Sequence, residues 1–334
     1  MSHKKILSQR TSISIFPFIM ICAFALSFVY CTPQSPAANK FLLWGYMVPG
    51  TVKPNTHLEF KRATAGYDFI ALTGLKLSAD GTLRYAMTAE EIFLSSASNS
   101  NLVFMITFRG TKDGIALLSD KKRIDAAVSA ICSFVDKKKS GHLHFDYEYL
   151  PQSMVPGLEY FFKKLKNTIR KTSGRIRLSM AVFPQVDFPS KWSSFHDLSV
   201  LERYCDEIVL MCYDYHRNGT VPGPVTDIAW AEKNIRHVIK YFAPERIWLG
   251  MPAYGYAWKD GGNKATAFSA RIGKSLQKKN LCVRDVSGTM RCRYISEGSP
   301  VTAYFADEKT RELMMDLARA YSLKGAAVWR VGFD

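Results

Sequence analysis

Between Gly141 and Tyr149 the chain reads Gly-His-Leu-His-Phe-Asp-Tyr-Glu-Tyr. Read as a strand, successive side chains alternate between two faces. His144, Asp146 and Glu148 then share one face, and Phe145, Tyr147 and Tyr149 share the other. Three titratable groups on one face of an otherwise apolar strand are a costly way to build a core, because unpartnered charges resist burial. Two neighbouring carboxyls also push one pKa upward, which keeps an acid protonated near neutral pH. Asp146 and Glu148 are therefore candidates for a carboxyl pair that does acid catalysis. The alternative is a surface strand with a solvated polar face.

The elements that must hold this pair alternate along the chain. Strand-like apolar runs fall at Leu42–Met47, Tyr67–Leu72, Leu102–Thr107, Leu143–Glu148, Ile176–Phe183, Ile208–Met211, Ile247–Met251 and Ala326–Trp329. Most are continuous, as strands buried on both faces should be. Helical stripes lie between them: Leu158, Phe161, Phe162, Leu165 and Ile169 in one, Trp230, Ile235, Val238 and Ile239 in another, Leu313, Met314, Leu317 and Tyr321 in a third. Eight strand–helix repeats predict an α/β fold, a closed (β/α)8 TIM barrel spanning residues 41–334. An open doubly wound sheet is the alternative, but no glycine-rich nucleotide signature follows an early strand. The stretch from Tyr256 to Tyr304 is too long for a connection. It predicts a small α+β insertion, about residues 257–303, between the seventh strand and its helix.

In such barrels active groups sit at the C-terminal ends of the strands. That rule gathers Tyr46 from the first strand, Asp146 and Glu148 from the fourth, and Gln185 after the fifth. It adds Met211, Tyr213, Asp214 and Tyr215 at the sixth, Tyr254 and Tyr256 after the seventh, and Trp329 at the eighth. Acids, phenols and an indole converging on one mouth suit a sugar, whose C–H faces stack on aromatic rings and whose hydroxyl and amide groups bind Asp, Tyr and Gln. Taken singly, each aromatic is better explained by core packing.

These residues resemble glycoside hydrolase family 18, the chitinase-type barrel. The last two acids of that family's D-G-x-D-x-D-x-E pattern match Asp146 and Glu148. Its M-x-Y-D matches Met211-Cys212-Tyr213-Asp214, its G-x-P-x-Y-G matches Gly250 to Gly255, and its strand-eight Trp matches Trp329. Finer features are similar to the spore cortex-lytic, peptidoglycan-acting branch: Tyr213-Asp214-Tyr215-His216, Pro222-Gly223-Pro224-Val225 with Trp230, and Tyr304-Phe305-Ala306-Asp307. The resemblance implies a retaining, substrate-assisted glycosidase acting at N-acetylglucosamine. Glu148 would be the acid, Asp146 would orient the substrate's acetamido group, and Tyr213 would hydrogen-bond its oxygen. Tyr46, His144, Gln185, Met211, Asp214, Tyr254 and Trp329 would bind the sugar. Three positions depart from the pattern: Gly141, His142 and His144 replace Asp, Gly and Asp. A neutral His144 is expected to hydrogen-bond Asp146, and a protonated one to hold it ionised. A lectin-like barrel that binds glycan without cleaving it is the alternative reading, which the retained Glu148 argues against.

Composition fits an exported globular protein. The chain has 334 residues, 47% hydrophobic and 13% aromatic, which supports a core and not disorder. Lys4, Lys5 and Arg10 precede an apolar run from Ile13 to Tyr30, the grammar of a targeting leader over residues 1–31. A Pro-rich tether, residues 32–40, follows. Leu26 to Cys31 resembles a relaxed lipobox in which Cys31 would carry the lipid, and an uncleaved membrane anchor is the alternative. The net charge is +16, and about +13 remains for the body once the three leader cations are set aside. No nucleic-acid-binding signature accompanies it, so an anionic envelope polymer is the better partner. The expected partner is thus an N-acetylglucosamine-containing polysaccharide, with membrane contact only through the N-terminal anchor and a monomeric body. No Cys/His spacing fits zinc, so neither metal nor cofactor is expected. Cys282 and Cys292 flank a turn and could pair in an oxidising compartment.

Overall fold

The computed structural model describes residues 40–48, 62–84, 101–138, 141–172, 176–259, 261–279 and 282–333. The expected leader, Cys31 and all of the tether but Lys40 lie outside the described residues. Eight parallel strands run Leu42–Met47, Phe69–Leu77, Leu102–Phe108, His142–Asp146, Arg177–Val182, Glu207–Met211, Ile247–Pro252 and Gly325–Trp329. Each pairs with the next, and the first pairs with both the second and the last, so the sheet closes. The expected TIM barrel is the observed one. Strand ends differ by a few residues. The second strand starts at Phe69 and runs on to Leu77, because Leu75 and Leu77 stay buried beyond a register shift after Leu72. It then folds back onto a short antiparallel partner, Leu83–Arg84, through a turn in which Gly81 has φ +87°, a conformation glycine adopts at no steric cost.

Alternation along the strands sorts side chains into two cores. Trp44, Tyr46, Ala71, Val103, Met105, Val209, Trp248 and Ala327 point inward and fill the barrel. The other face packs against the helices: Leu158, Phe161, Phe162, Leu165 and Ile169 of the helix Val155–Thr172 are all buried there. Burying each such side chain contributes roughly 1.5–3 kcal/mol. Helix starts are capped where the sequence offers an aspartate. Asp227 accepts from the Trp230 amide at the start of Ile228–Val238, and Asp307 from the Thr310 amide at the start of Glu308–Ala320.

The barrel floor holds a buried acid. Glu207 accepts from Trp248 Nε1 at 2.6 Å, pairs with Arg177 Nε at 3.1 Å, and also takes the ammonium of Lys324. Every charge there has a partner, which burial requires.

The predicted insertion is a five-stranded antiparallel sheet, ordered Ala265–Ser269, Tyr254–Lys259, Ser299–Phe305, Met290–Ser296 and Cys282–Arg284. The helix Ala270–Lys279 packs on it through Ala270 and Gly273. Cys282 and Cys292 face each other across the last two strands and are disulfide-bonded. Gly255 is needed where the sheet crowds itself, since a Cβ there would stand 2.1 Å from the Tyr304 carbonyl oxygen.

Candidate active site

The C-terminal mouth of the barrel opens on a cavity of about 190 Å3 lined by Tyr46, Met105, Asp146, Glu148, Tyr149, Ala181, Phe183, Phe188, Met211, Tyr213, Asp214, Arg217, Tyr254 and Trp329. Seven strands or the loops just after them contribute. Among the described residues that line it, three are carboxylic acids and one is a cation. Among the described residues no cluster of three or more His, Cys, Asp or Glu could hold a metal ion.

Asp146 closes the fourth strand, and Glu148 follows it on an irregular segment. Their carboxyls are hydrogen-bonded to one another. Burial pushes Asp146 up to about 6, partly offset by the bond from Glu148. Burial first, then the charges of Asp146 and Asp214, hold Glu148 well above the ordinary carboxyl range. The pair therefore keeps one proton between them near neutral pH, and it titrates as a unit. Glu148 is its natural owner, because both neighbouring acids act on it. Asp146 Oδ1 is enclosed and has no hydrogen-bond partner. An unpartnered buried acceptor costs about 1–3 kcal/mol, a cost the fold carries at this acid.

His144 does not sit where the pattern alone places it. It is fully buried beneath the pocket, one layer below Asp146, and is not part of the pocket wall. Its Nε2 is hydrogen-bonded to the Tyr46 hydroxyl at 2.9 Å and its Nδ1 to the Ser179 hydroxyl at 2.9 Å. Both ring nitrogens are thus engaged away from Asp146, which corrects the expected His144–Asp146 bond. Burial lowers the imidazole to about 3, so it is neutral at physiological pH and cannot hold Asp146 ionised. Its place is to fix Tyr46, which lines the pocket and packs 5.3 Å from the Trp329 ring.

Gln185 is a second correction. Its side chain is absent from the pocket wall, and its Nε2 donates to the Phe183 carbonyl at 2.9 Å. The buried amide of Asn234 accepts from the Gln185 and Val186 backbone, turning the loop outward and taking the glutamine with it. Tyr149 is a third. The strand ends at Asp146, Tyr149 has φ 58°, and its ring enters the pocket mouth instead of joining Phe145 and Tyr147 in the outer core.

Met211, Tyr213, Asp214, Tyr254 and Trp329 line the cavity together. Asp214 has φ 59°, and its Oδ1 accepts from both Tyr254 and Tyr256 hydroxyls, at 2.5 and 2.9 Å. Gly250 makes room for this wall: a Cβ there would lie 2.8 Å from the Leu210 carbonyl oxygen and 3.1 Å from the Tyr213 ring. Sequence reasoning missed Arg217, Phe183 and Phe188. Arg217 stacks 4.4 Å over Trp192 and donates to the Asp214 carbonyl at 2.7 Å. It lies three residues past Asp214, and position along the strand was the only available signal.

Behind the acids stands a fixed imidazole. His196 Nδ1 accepts from the Phe183 amide at 2.9 Å, and Nε2 donates to the Tyr147 carbonyl at 2.9 Å. Burial lowers it to about 4, so the neutral form ties the end of the fifth strand to the peptide just before Glu148.

The sequence model of glycosyl hydrolases family 18 matches residues 30–334. A cortical fragment-lytic enzyme of Bacillus anthracis is 22% identical over 282 residues, covering 79% of this chain and 64% of that protein. The chain thus spans less than two thirds of that relative's length. The spore cortex-lytic enzyme SleL of Bacillus cereus has the same fold, with a TM-score of 0.78 at 21% identity over 89% of this chain and 72% of that one. A chitinase of Chromobacterium violaceum superposes with a TM-score of 0.77 at 18% identity, over 88% of this chain and 95% of that one. With the match covering nearly all of the barrel and its pocket acids, the chain belongs to family 18 of the glycosyl hydrolases.

Proposed function

We propose that the protein is an exported glycosidase that cleaves β-1,4 bonds at N-acetylglucosamine in peptidoglycan or chitin-type glycans, with retention and with help from the substrate. One observation carries this reading. Glu148, whose burial and acidic neighbours favour its protonated form, adjoins Asp146, and both acids line the pocket. Asp146 accepts a hydrogen bond from the acetamido N–H. Glu148 gives its proton to the glycosidic oxygen as the C1–O bond breaks. The acetamido carbonyl oxygen bonds to C1 from the other face, and the resulting oxazolinium places its charge against Asp146. Water then attacks C1, Glu148 takes a proton back, and the acetamido group is released. Tyr213 faces the acetamido oxygen, Asp214 and Tyr254 hold hydroxyls, and Tyr46 and Trp329 supply the apolar floor. The N-terminal leader pattern and the Cys282–Cys292 bond support an export route.

The test is product analysis by mass spectrometry after incubation with purified peptidoglycan and with chitotetraose. New reducing ends at N-acetylglucosamine are expected, and they disappear in Glu148→Gln. Tight binding without cleavage of either glycan would support the lectin-like alternative and overturn this one.

A further inference from the structure

The cleft continues past the catalytic pocket. Beyond Asp146 and Trp329, over the first three barrel strands, lies a second groove of about 710 Å3. Met105, Asp146 and Trp329 wall both spaces. Their charge is opposite. Among the described residues, the pocket sets Asp146, Glu148 and Asp214 against Arg217, whereas the groove sets Lys76, Arg84, Arg109 and Arg330 against Asp146.

Some of this positive charge is already answered. Arg109 pairs with Asp113 at 3.1 Å, and Arg84 lies within the field of Asp80. Lys76 and Arg330 have no ion-pair partner among the described residues; Arg330 instead lies 4.2 Å over the Phe333 ring. Lys76 and Arg84 stand directly opposite each other on the antiparallel pair. Like charges so placed destabilise a sheet, and packing gives nothing back, since both side chains are exposed. A groove that borders the reacting centre and tolerates this repulsion is built to receive an anion.

We infer that this groove is a subsite for a carboxylate borne by the glycan beside the amino sugar being cleaved. It would make the enzyme read anionic amino-sugar chains in preference to neutral ones. The inference rests on the glycosidase reading for its meaning, and on the groove alone for its chemistry. The carboxylate has two possible sources on such chains: an ether-linked lactyl group on the sugar, or a peptide attached to it.

The experiment compares three ligands of equal sugar length: a peptide-bearing peptidoglycan fragment, the same fragment stripped of peptide by an amidase, and chitotetraose. Binding to Glu148→Gln is measured by calorimetry, and turnover by the wild type. Both carboxylated fragments are expected to bind more tightly than chitotetraose, and the advantage should shrink with salt. Adding Lys76→Gln and Arg84→Gln together should cut the preference for carboxylated over neutral ligand about tenfold, mostly in KM and not in kcat. Lys278→Gln with Lys279→Gln, exposed on the insertion helix, controls for total charge. Preference for the stripped fragment assigns the lactyl group; preference only for the peptide-bearing one assigns the peptide. Equal binding of all three ligands, or an equal loss in the control variant, overturns the subsite. Should carboxylated fragments bind preferentially with no glycan cleaved, the subsite stands and the glycosidase reading falls.

Discussion

Two acids enclosed by the same barrel have opposite surroundings. Glu207, on the floor, is met by Arg177, Lys324 and the Trp248 indole. Glu148, at the mouth, is met by two other carboxylic acids, Asp146 and Asp214. The first arrangement neutralises a buried charge; the second prevents one from forming. An acid that holds the barrel together thus differs from acids whose crowding costs the fold and which the proposed mechanism uses. The two kinds should respond differently when made neutral.

The largest expected effect is on turnover. Glu148→Gln removes the proposed proton donor and should lower kcat by about a thousandfold, some 4 kcal/mol of barrier. It also removes a crowded acid, so the melting temperature should hold or rise. A melting temperature that falls with kcat intact would break the comparison from the mouth side.

Glu207→Gln should do the reverse. It leaves the part-buried Lys324 ammonium without its carboxylate, and removing one partner of a buried pair costs up to about 3–5 kcal/mol. Denaturant unfolding should show a loss of about 3 kcal/mol, with the kcat of the remaining folded protein within a few-fold of wild type. If kcat drops by orders of magnitude instead, the floor is not merely structural.

The pH dependence of stability tests the mouth again, with a smaller effect. His142, His144 and His196 are lowered by burial, the last two to about 3 and 4. Unfolding lets each take up a proton below 6.5, so they weaken the fold as pH falls from 6.5 towards 4. Asp146, Glu148 and Asp214 are raised by burial. They keep protons that the unfolded chain releases, so they strengthen the fold as pH falls through about 6 towards the ordinary carboxyl range. The two groups oppose each other across that window. Glu148→Gln deletes one of the strengthening terms. Its stability should therefore fall more steeply than wild type between pH 6.5 and 4.5, by up to ~1.4 kcal/mol per pH unit. Parallel curves would mean that Glu148 titrates normally in the folded protein.

The barrel was legible because strands buried on both faces leave continuous apolar runs, and eight such runs occur at helix-sized intervals. Local pattern also pointed to Asp146, Glu148, Tyr213, Asp214, Tyr254 and Trp329 as neighbours, since the ends of parallel strands meet at one mouth. It failed where the backbone leaves the strand. Alternation stops at Asp146, and the left-handed turn at Tyr149 sends its ring to the face opposite the one alternation predicts. Gln185 follows a strand end as Asp214 does, yet Asn234, far along the chain, turns it away. The partners of His144 lie 98 and 35 residues distant, and no spacing rule reaches them. Lys76, Arg84, Arg109 and Arg330 each read as an ordinary solvated cation; only strand register and closure bring them to one groove.

His144 offers the finest test of the contrast between mouth and floor. Where the family pattern has an acid, this chain has a neutral imidazole bonded to Tyr46 and Ser179. The proposed mechanism needs Asp146 ionised while Glu148 keeps its proton. Activity should therefore fall on the acid side as Asp146 gains a proton, near its value of about 6, and on the alkaline side as Glu148 loses its own. His144→Asp adds an acid one layer below Asp146. Like charge disfavours ionisation, so the acid limb of kcat/KM should move up by about one pH unit, equivalent to ~1.4 kcal/mol. His144→Asn adds no charge and keeps a hydrogen-bonding side chain for Tyr46 and Ser179. It should leave the limb in place while lowering stability by about 1 kcal/mol. If both variants shift the limb equally, the change comes through Tyr46 and its hold on the pocket wall, and the charge at residue 144 does not set the working pH.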